Sequence, residues 1–413
     1  MEKPVTTLGK HRRHVVVTAV LLGGALTLSA CSSDGGGDGG KGQSDISGKK
    51  KASVARIRTG GKDGSEKASI NTGGNVTVSG GKLTDVTLKT AQSGQTIQGT
   101  MSADHKSWKP KQQLERATQY KLTAKAKDAD GRKAVENSTF TTVSPAHSFI
   151  GNYTGEDGET VGVGMPVSIN FDKTITNKKA VQSAIKVKST SGQQVVGHWF
   201  GGDRLDFRPQ HYWKSGSTVT LDLKLDGVQG GHGLTGVQNK KVTFKIGRSQ
   251  VSTVNAKTHK MTVVRDGKKL KTVPISSGSA EHPTYNGQMV ISEKHKETRM
   301  DGNTVGFGRK ESGGGYDIKD VPHAMRLSTS GTFIHGNYWG APFGSGNTSH
   351  GCVGLKDVRG ANDSSTDGAW FYSQSMIGDV VIVKGSNDKT VQPDNGLNGW
   401  NMSWSKWKAG SAV

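Results

Sequence analysis

The stretch Val219-Thr220-Leu221-Asp222-Leu223-Lys224-Leu225 alternates strictly between apolar and polar residues. Successive side chains of an extended strand point to opposite faces, so Val219, Leu221, Leu223 and Leu225 share one face. Thr220, Asp222 and Lys224 take the other, the pattern of a half-buried strand in an antiparallel sheet. Similar short runs, separated by Gly, lie at 75–79, 83–88 and 120–126. Gly is abundant, at 59 residues, and Thr, Val and Ser outweigh Leu-rich helical stretches, which favours a mainly β chain.

Two segments repeat one another. Trp108-Lys109-Pro110 precedes the strand at Tyr120, and Phe140 closes that unit; Phe207-Arg208-Pro209 precedes the strand at Val219, and Phe244 closes the next. Pro110 and Pro209 lie 99 residues apart, the length of one immunoglobulin-like sandwich. The spacing predicts two tandem immunoglobulin-like β-sandwiches, residues 51–143 and 144–247. Neither carries a constellation of catalytic residue types, so both read as spacers.

From Gln250 the pattern changes to a Gly-punctuated, mostly-β third domain, residues 248–384. Lys260–Val264 and Leu270–Ile275 flank Asp266-Gly267, a hairpin signal. Asp379–Val383 reads as a late buried strand, and Ala361–Ser375 as a helix with Trp370 and Phe371 inward. A Trp-rich tail, residues 385–413, places Trp400, Trp404 and Trp407 at i, i+4 and i+7, one helical face expected to pack on the folded body.

The N-terminus reads as an export signal, residues 1–30. Lys3, Lys10, Arg12 and Arg13 are positive, and Val15–Leu28 is apolar but shorter than the roughly 20 residues a membrane span needs. Leu28-Ser29-Ala30-Cys31 follows, and then a Gly/Ser/Asp/Lys-rich stretch, residues 31–50, which cannot bury enough surface to fold. Its coil would span about 25 Å. Net charge is +21. An exported chain does not meet nucleic acid, so anionic wall polymers or lipid head groups are the expected long-range partners.

The chemistry concentrates in Phe333-Ile334-His335-Gly336-Asn337-Tyr338-Trp339 and Thr348-Ser349-His350-Gly351-Cys352-Val353. The chain has two cysteines, Cys31 and Cys352. An exported protein with one unpaired thiol in its body keeps that thiol for chemistry, since oxidising compartments favour disulfides. A thiol of ordinary pKa, about 8.5, is mostly protonated at neutral pH, so acyl transfer needs a base within hydrogen-bond reach. Both His335 and His350 are candidates, and the residues alone do not choose between them. Gly351 permits close backbone approach, which would let nearby amides face an oxyanion. Residues 300–316 are Gly-rich and polar, a lid over the site. His335, His350 and Cys352 are also zinc-ligand types, but a closed structural site needs four ligands and no second Cys pair exists; no metal and no cofactor are expected.

The pattern His335-x13-Ser349-His350-Gly351-Cys352 resembles the signature of the L,D-transpeptidases, and Leu28-Ser29-Ala30-Cys31 resembles a bacterial lipobox. The order of the domains resembles the mycobacterial members of that family. The resemblance implies lipidation of Cys31, anchoring at the outer face of the cytoplasmic membrane, and a monomer acting on donor and acceptor stem peptides of peptidoglycan. It implies 3→3 cross-linking with Cys352 as nucleophile, His335 as base oriented by the Gly336 carbonyl, and His350 in a supporting place. It puts Tyr316, Met300, Ser349, Trp339 and Asn337 in the substrate pocket. It also implies acylation of Cys352 by carbapenems. Two positions depart from the pattern. Residue 336 is Gly where close relatives have Ser, and residue 354 is Gly where relatives have Asn or Arg, so a donor there would have to come from Asn337 or Asn347. An L,D-carboxypeptidase of the same fold, and a non-catalytic wall-binding lipoprotein, are the alternatives.

Overall fold

The computed structural model describes residues 51–305 and 315–413. The export signal, Cys31 and the tether therefore lie outside the described residues, as does most of the expected lid. Residues 52–413 form one compact unit.

The 99-residue repeat appears as equivalent strand pairings. In the first sandwich Val76 faces Trp108 across one sheet, and Tyr120 faces Phe140 across the other. In the second, Val167 faces Phe207 and Val219 faces Phe244. Each sandwich encloses its own apolar core. Leu83, Leu88, Leu122 and Phe140 lie in the first; Ile169, Leu205, Leu221 and Phe244 lie in the second. The opening stretch runs as strand Thr218–Lys224, with Val219, Leu221 and Leu223 buried, as its alternation requires.

The third domain is built from strands β1 (Gln250–Asn255), β2 (Lys260–Arg265), β3 (Lys268–Pro274), β4 (Gly287–Val290), β5 (Glu293–Asp301), β6 (Asp317–Arg326), β7 (Phe333–Asn337) and β8 (Val353–Lys356), then helix α1 (Asp367–Gln374) and strand β9 (Val380–Lys384). They form two sheets, ordered β3-β2-β1-β9-β4 and β5-β6-β7-β8. A core of Val263, Met289, Ile334, Leu355, Phe371 and Val381 lies between them. Asp266 and Gly267 adopt φ of +49° and +79°, the primed turn expected of Asp-Gly in a two-residue hairpin.

Two expectations need correction. Helix α1 begins at Asp367 rather than at 361, because Thr366 caps it by accepting from the Ala369 amide and Asp363 holds the preceding turn. The three tail tryptophans do not share one helix. Trp400 sits in the 3₁₀ turn Gly399–Asn401, and α2 (Trp404–Ala409) starts afresh at the Ser403 cap.

The tryptophans converge all the same, on Arg208 of the second sandwich. Its guanidinium lies 4.8, 5.5 and 4.2 Å from the rings of Trp400, Trp404 and Trp407. Arg208 also donates to the Met402 carbonyl at 2.9 Å. Trp407 Nε1 donates to Val196 O at 2.9 Å, and Trp400 Nε1 to Gly164 O at 2.7 Å. On the catalytic side, Asn398 and Asn401 of the tail take the amides of Val290 and Gln288. Arg248 pairs with the buried Asp379 through both oxygens, at 2.7 and 2.9 Å. The second sandwich is thus a wall of the catalytic body rather than a detached spacer.

Candidate active site

The site grows from β7 and β8. They pair in parallel, with Ile334 opposite Val353 and His335 opposite Gly354. Paired residues share a face, as do residues two apart on one strand, so His335 and Cys352 emerge on the same side of adjacent strands. All five residues of β7 are buried. A cavity of about 190 Å³ opens there, lined by His335, Cys352, Asn337, Trp339, Met300, Tyr316, Ser349 and His350 among others. The sequence thus named most of its lining.

His335 Nδ1 lies 2.8 Å from the Gly336 carbonyl. A carbonyl only accepts, so Nδ1 carries the proton and Nε2 keeps its lone pair. Trp339, which is 43% exposed, stacks on the ring at 5.7 Å. Burial pushes the imidazole pKa down, opposed by the Gly336 carbonyl and by the charge of Asp357.

Cys352 is buried, and its thiol is pushed up to about 11 by that burial. Its Sγ points at the Gly331 carbonyl, 3.6 Å away. The resting centre is therefore a neutral thiol beside a neutral imidazole, not a preformed ion pair. Ser349 Oγ donates to the Cys352 carbonyl at 2.6 Å and accepts from the Gly351 amide at 3.1 Å. This closes a tight turn that Gly351 completes at φ +112°, a conformation that only glycine takes easily. The Gly351 amide is thereby spent. The Cys352 amide makes no hydrogen bond among the described residues and remains available.

His350 lines the same cavity from the turn that precedes β8. Its ring lies 5.2 Å from His282 and 5.1 Å from Tyr316. The Tyr316 hydroxyl is pushed up to about 12, first by burial and then by the neighbouring Cys352, so it stays a proton donor. Met300, Phe333 and Cys352 form a small apolar cluster against which Tyr316 packs.

Of the two asparagines expected to replace a donor at 354, Asn347 is committed elsewhere. Its Oδ1 accepts from the Ser277 amide and hydroxyl, and its Nδ2 donates to Ala256 O. Asn337 lines the cavity directly over Gly354, with Oδ1 held by the Gly340 amide at 3.0 Å. Sequence reading missed Ser276, Ile318 and Thr348 in the lining. Ser276 arrives through a backbone bridge to Gly354, and no local pattern announces a pairing of that sequence separation.

Immunoglobulin-like sandwiches joined to a mostly-β domain that holds a Cys/His cavity fit a modular enzyme of acyltransferase type. Residues 249–383 match the family described as L,D-transpeptidase catalytic domain, and residues 65–229 match that described as bacterial Ig domain. L,D-transpeptidase 2 of Mycobacterium tuberculosis is 34% identical over 85% of this chain and 83% of its own length. L,D-transpeptidase 5 of the same species is 31% identical over 78% of this chain and 70% of its own. The crystal structure of L,D-transpeptidase 3 from M. tuberculosis covers 56% of this chain and 97% of that one, at 28% identity and a TM-score of 0.45. The chain belongs to the L,D-transpeptidase family.

Proposed function

We propose that this chain is a lipid-anchored peptidoglycan L,D-transpeptidase that makes 3→3 cross-links through an acyl-enzyme on Cys352. The observation that carries the reading is the tautomer of His335. With Nδ1–H held by Gly336 O, Nε2 is the free basic nitrogen of the cavity that Cys352 also lines.

In the first step Cys352 turns from Gly331 toward Nε2 and gives up its proton as sulfur attacks the carbonyl of the third stem residue. The Cys352 amide and the Tyr316 hydroxyl, both of the cavity lining, serve as donors to the developing oxyanion. The carbon–nitrogen bond then breaks, Nε2 returns the proton to the leaving D-Ala amine, and a thioester remains. In the second step the side-chain amine of an acceptor stem attacks the thioester. It gives up a proton through His335, and Cys352 leaves as the thiol. Burial pushes the thiol up to about 11 and the imidazole down, which favours proton transfer to Nε2 in step with the attack of sulfur. Trp339 covers the base, and Asn337 offers the polar contact that Gly354 lacks. The sequence before Cys31 supports export and lipidation, which would place the site on the outer face of the cytoplasmic membrane.

The test is intact-protein mass spectrometry of residues 51–413 with a tetrapeptide stem and then an acceptor stem. The expected result is a thioester adduct on Cys352 that disappears as a cross-linked dimer forms, and no adduct on Cys352→Ala. Release of free tripeptide alone would make the enzyme a carboxypeptidase. An adduct surviving on Cys352→Ala would overturn the assignment.

A further inference from the structure

Behind the site lies a buried titratable pair for which the mechanism above has no use. His323, near the end of β6, is buried and held at φ +48°, a strained conformation for a residue with a side chain. Its Nδ1 lies 2.7 Å from Asp357 Oδ2. A carboxylate only accepts, so Nδ1 donates. Asp357 follows β8 directly and is also buried. Its Oδ1 accepts from Thr366 Oγ1 at 2.9 Å and from the Val358 amide at 2.8 Å.

Two glycines make room for this one carboxylate. A Cβ placed on Gly336 would collide with Asp357 Oδ2 and come within 2.6 Å of the Asp357 Cβ. A Cβ on Gly368 of α1 would collide with the same oxygen. Gly336 is the residue whose carbonyl holds the His335 ring. The space that any side chain at 336 would need is occupied by Asp357. A buried carboxylate is costly unless fully hydrogen-bonded, so an arrangement that strains one residue and requires two glycines is a poor way to gain stability alone.

We infer that Asp357, held by His323, is a positioning residue for the base: it braces the Gly336 peptide whose carbonyl fixes His335, and its negative charge favours the imidazolium that forms during acylation. The inference rests on the role proposed for His335. The groups around that ring are few. Cys352, Tyr316 and His350 share its cavity, and Asp357 and His323 lie behind it. Tyr372 of α1 packs on His323 at 5.0 Å, and the Lys294 ammonium lies 4.2 Å from the Tyr372 ring. The charge of Asp357 raises the proton affinity of His335, against a burial that lowers it.

The sign follows. Removing the Asp357 charge destabilises the imidazolium, so the acid limb of the acylation profile, where His335 must be unprotonated, moves to lower pH. Imipenem acylation of residues 51–413 is followed by stopped flow from pH 4 to 9 in the unaltered chain, Asp357→Asn and His323→Gln. The expected result for Asp357→Asn is an acid limb lower by about one unit and a maximal rate down about tenfold. His323→Gln should move both in the same direction by less. Gly336→Ser should lose acylation with Asp357 present, and adding Asp357→Gly should return it no further than the rate of Asp357→Asn. Acylation of the unaltered chain tests the functional reading; only the displacement between profiles tests this one. An unchanged acid limb in either folded variant, whatever its melting temperature, would overturn the inference, as would recovery of the unaltered rate by Gly336→Ser combined with Asp357→Gly.

Discussion

The two sandwiches share a plan but are joined to their surroundings in different ways. The first touches the second through a small contact, part polar and part apolar: Ser69 and Asn71 reach Asp226 at 3.0 and 2.8 Å, and Val237 enters the first core. The second is bonded to the catalytic domain by the backbone itself. The Gly162 and Gly164 amides donate to Ile377 and Gly378 carbonyls, and a side chain at 162 would collide with the Asp379 amide. The contrast shows at one repeat-equivalent position. Lys109 of the first sandwich is exposed, whereas Arg208 of the second is buried among three tryptophans. A cation left in water makes a spacer surface; the same position with its hydration replaced by aromatic faces makes a permanent joint.

The largest effect expected from this contrast is in truncations. Removing the first sandwich, to leave residues 144–413, should keep the acylation rate within about tenfold, or roughly 1.4 kcal/mol of barrier. Starting instead at residue 248 strips the tail of its socket on Val196, His198 and Arg208, and should abolish both cooperative unfolding and acylation. A catalytic piece from 248 that is acylated normally would erase the distinction between the sandwiches. Next in size, Trp407→Ala empties a fully buried site and should cost about 3–5 kcal/mol by thermal melting. Arg208→Met keeps the stem but loses the Met402 bond and the ring contacts, for about 2 kcal/mol. At the other joint, Ser69→Ala should cost about 1 kcal/mol. Smallest of all, Lys109→Met should stay within about 0.5 kcal/mol, so the ratio between positions 109 and 208 measures the contrast directly.

Much of this was legible in the sequence because it was local. The alternation around Leu221, the Asp266-Gly267 hairpin and the 99-residue repeat each state their physics within a few residues. The Cys352 and His335 neighbourhood was legible because residue types that chemistry needs are rare in an otherwise Thr- and Gly-rich chain. What escaped depends on pairings at long range. The i, i+4, i+7 spacing of the tryptophans was real, but their target, Arg208, lies about 200 residues away, and it gathers them without a continuous helix. Ser276 and the His323–Asp357 pair reach the site across strands, and nothing beside them in sequence marks the meeting. Asn347 looked as available as Asn337, since only the fold shows which amide is already spent.

The choice between His335 and His350 as the base is what the functional account rests on most. Stopped-flow acylation of residues 51–413 by imipenem, with His335→Gln and His350→Ala compared at neutral pH, tests it directly. His335→Gln should slow acylation by about 10²–10⁴-fold, the range for a positioned base, and His350→Ala by much less. A larger loss for His350→Ala than for His335→Gln would contradict the account.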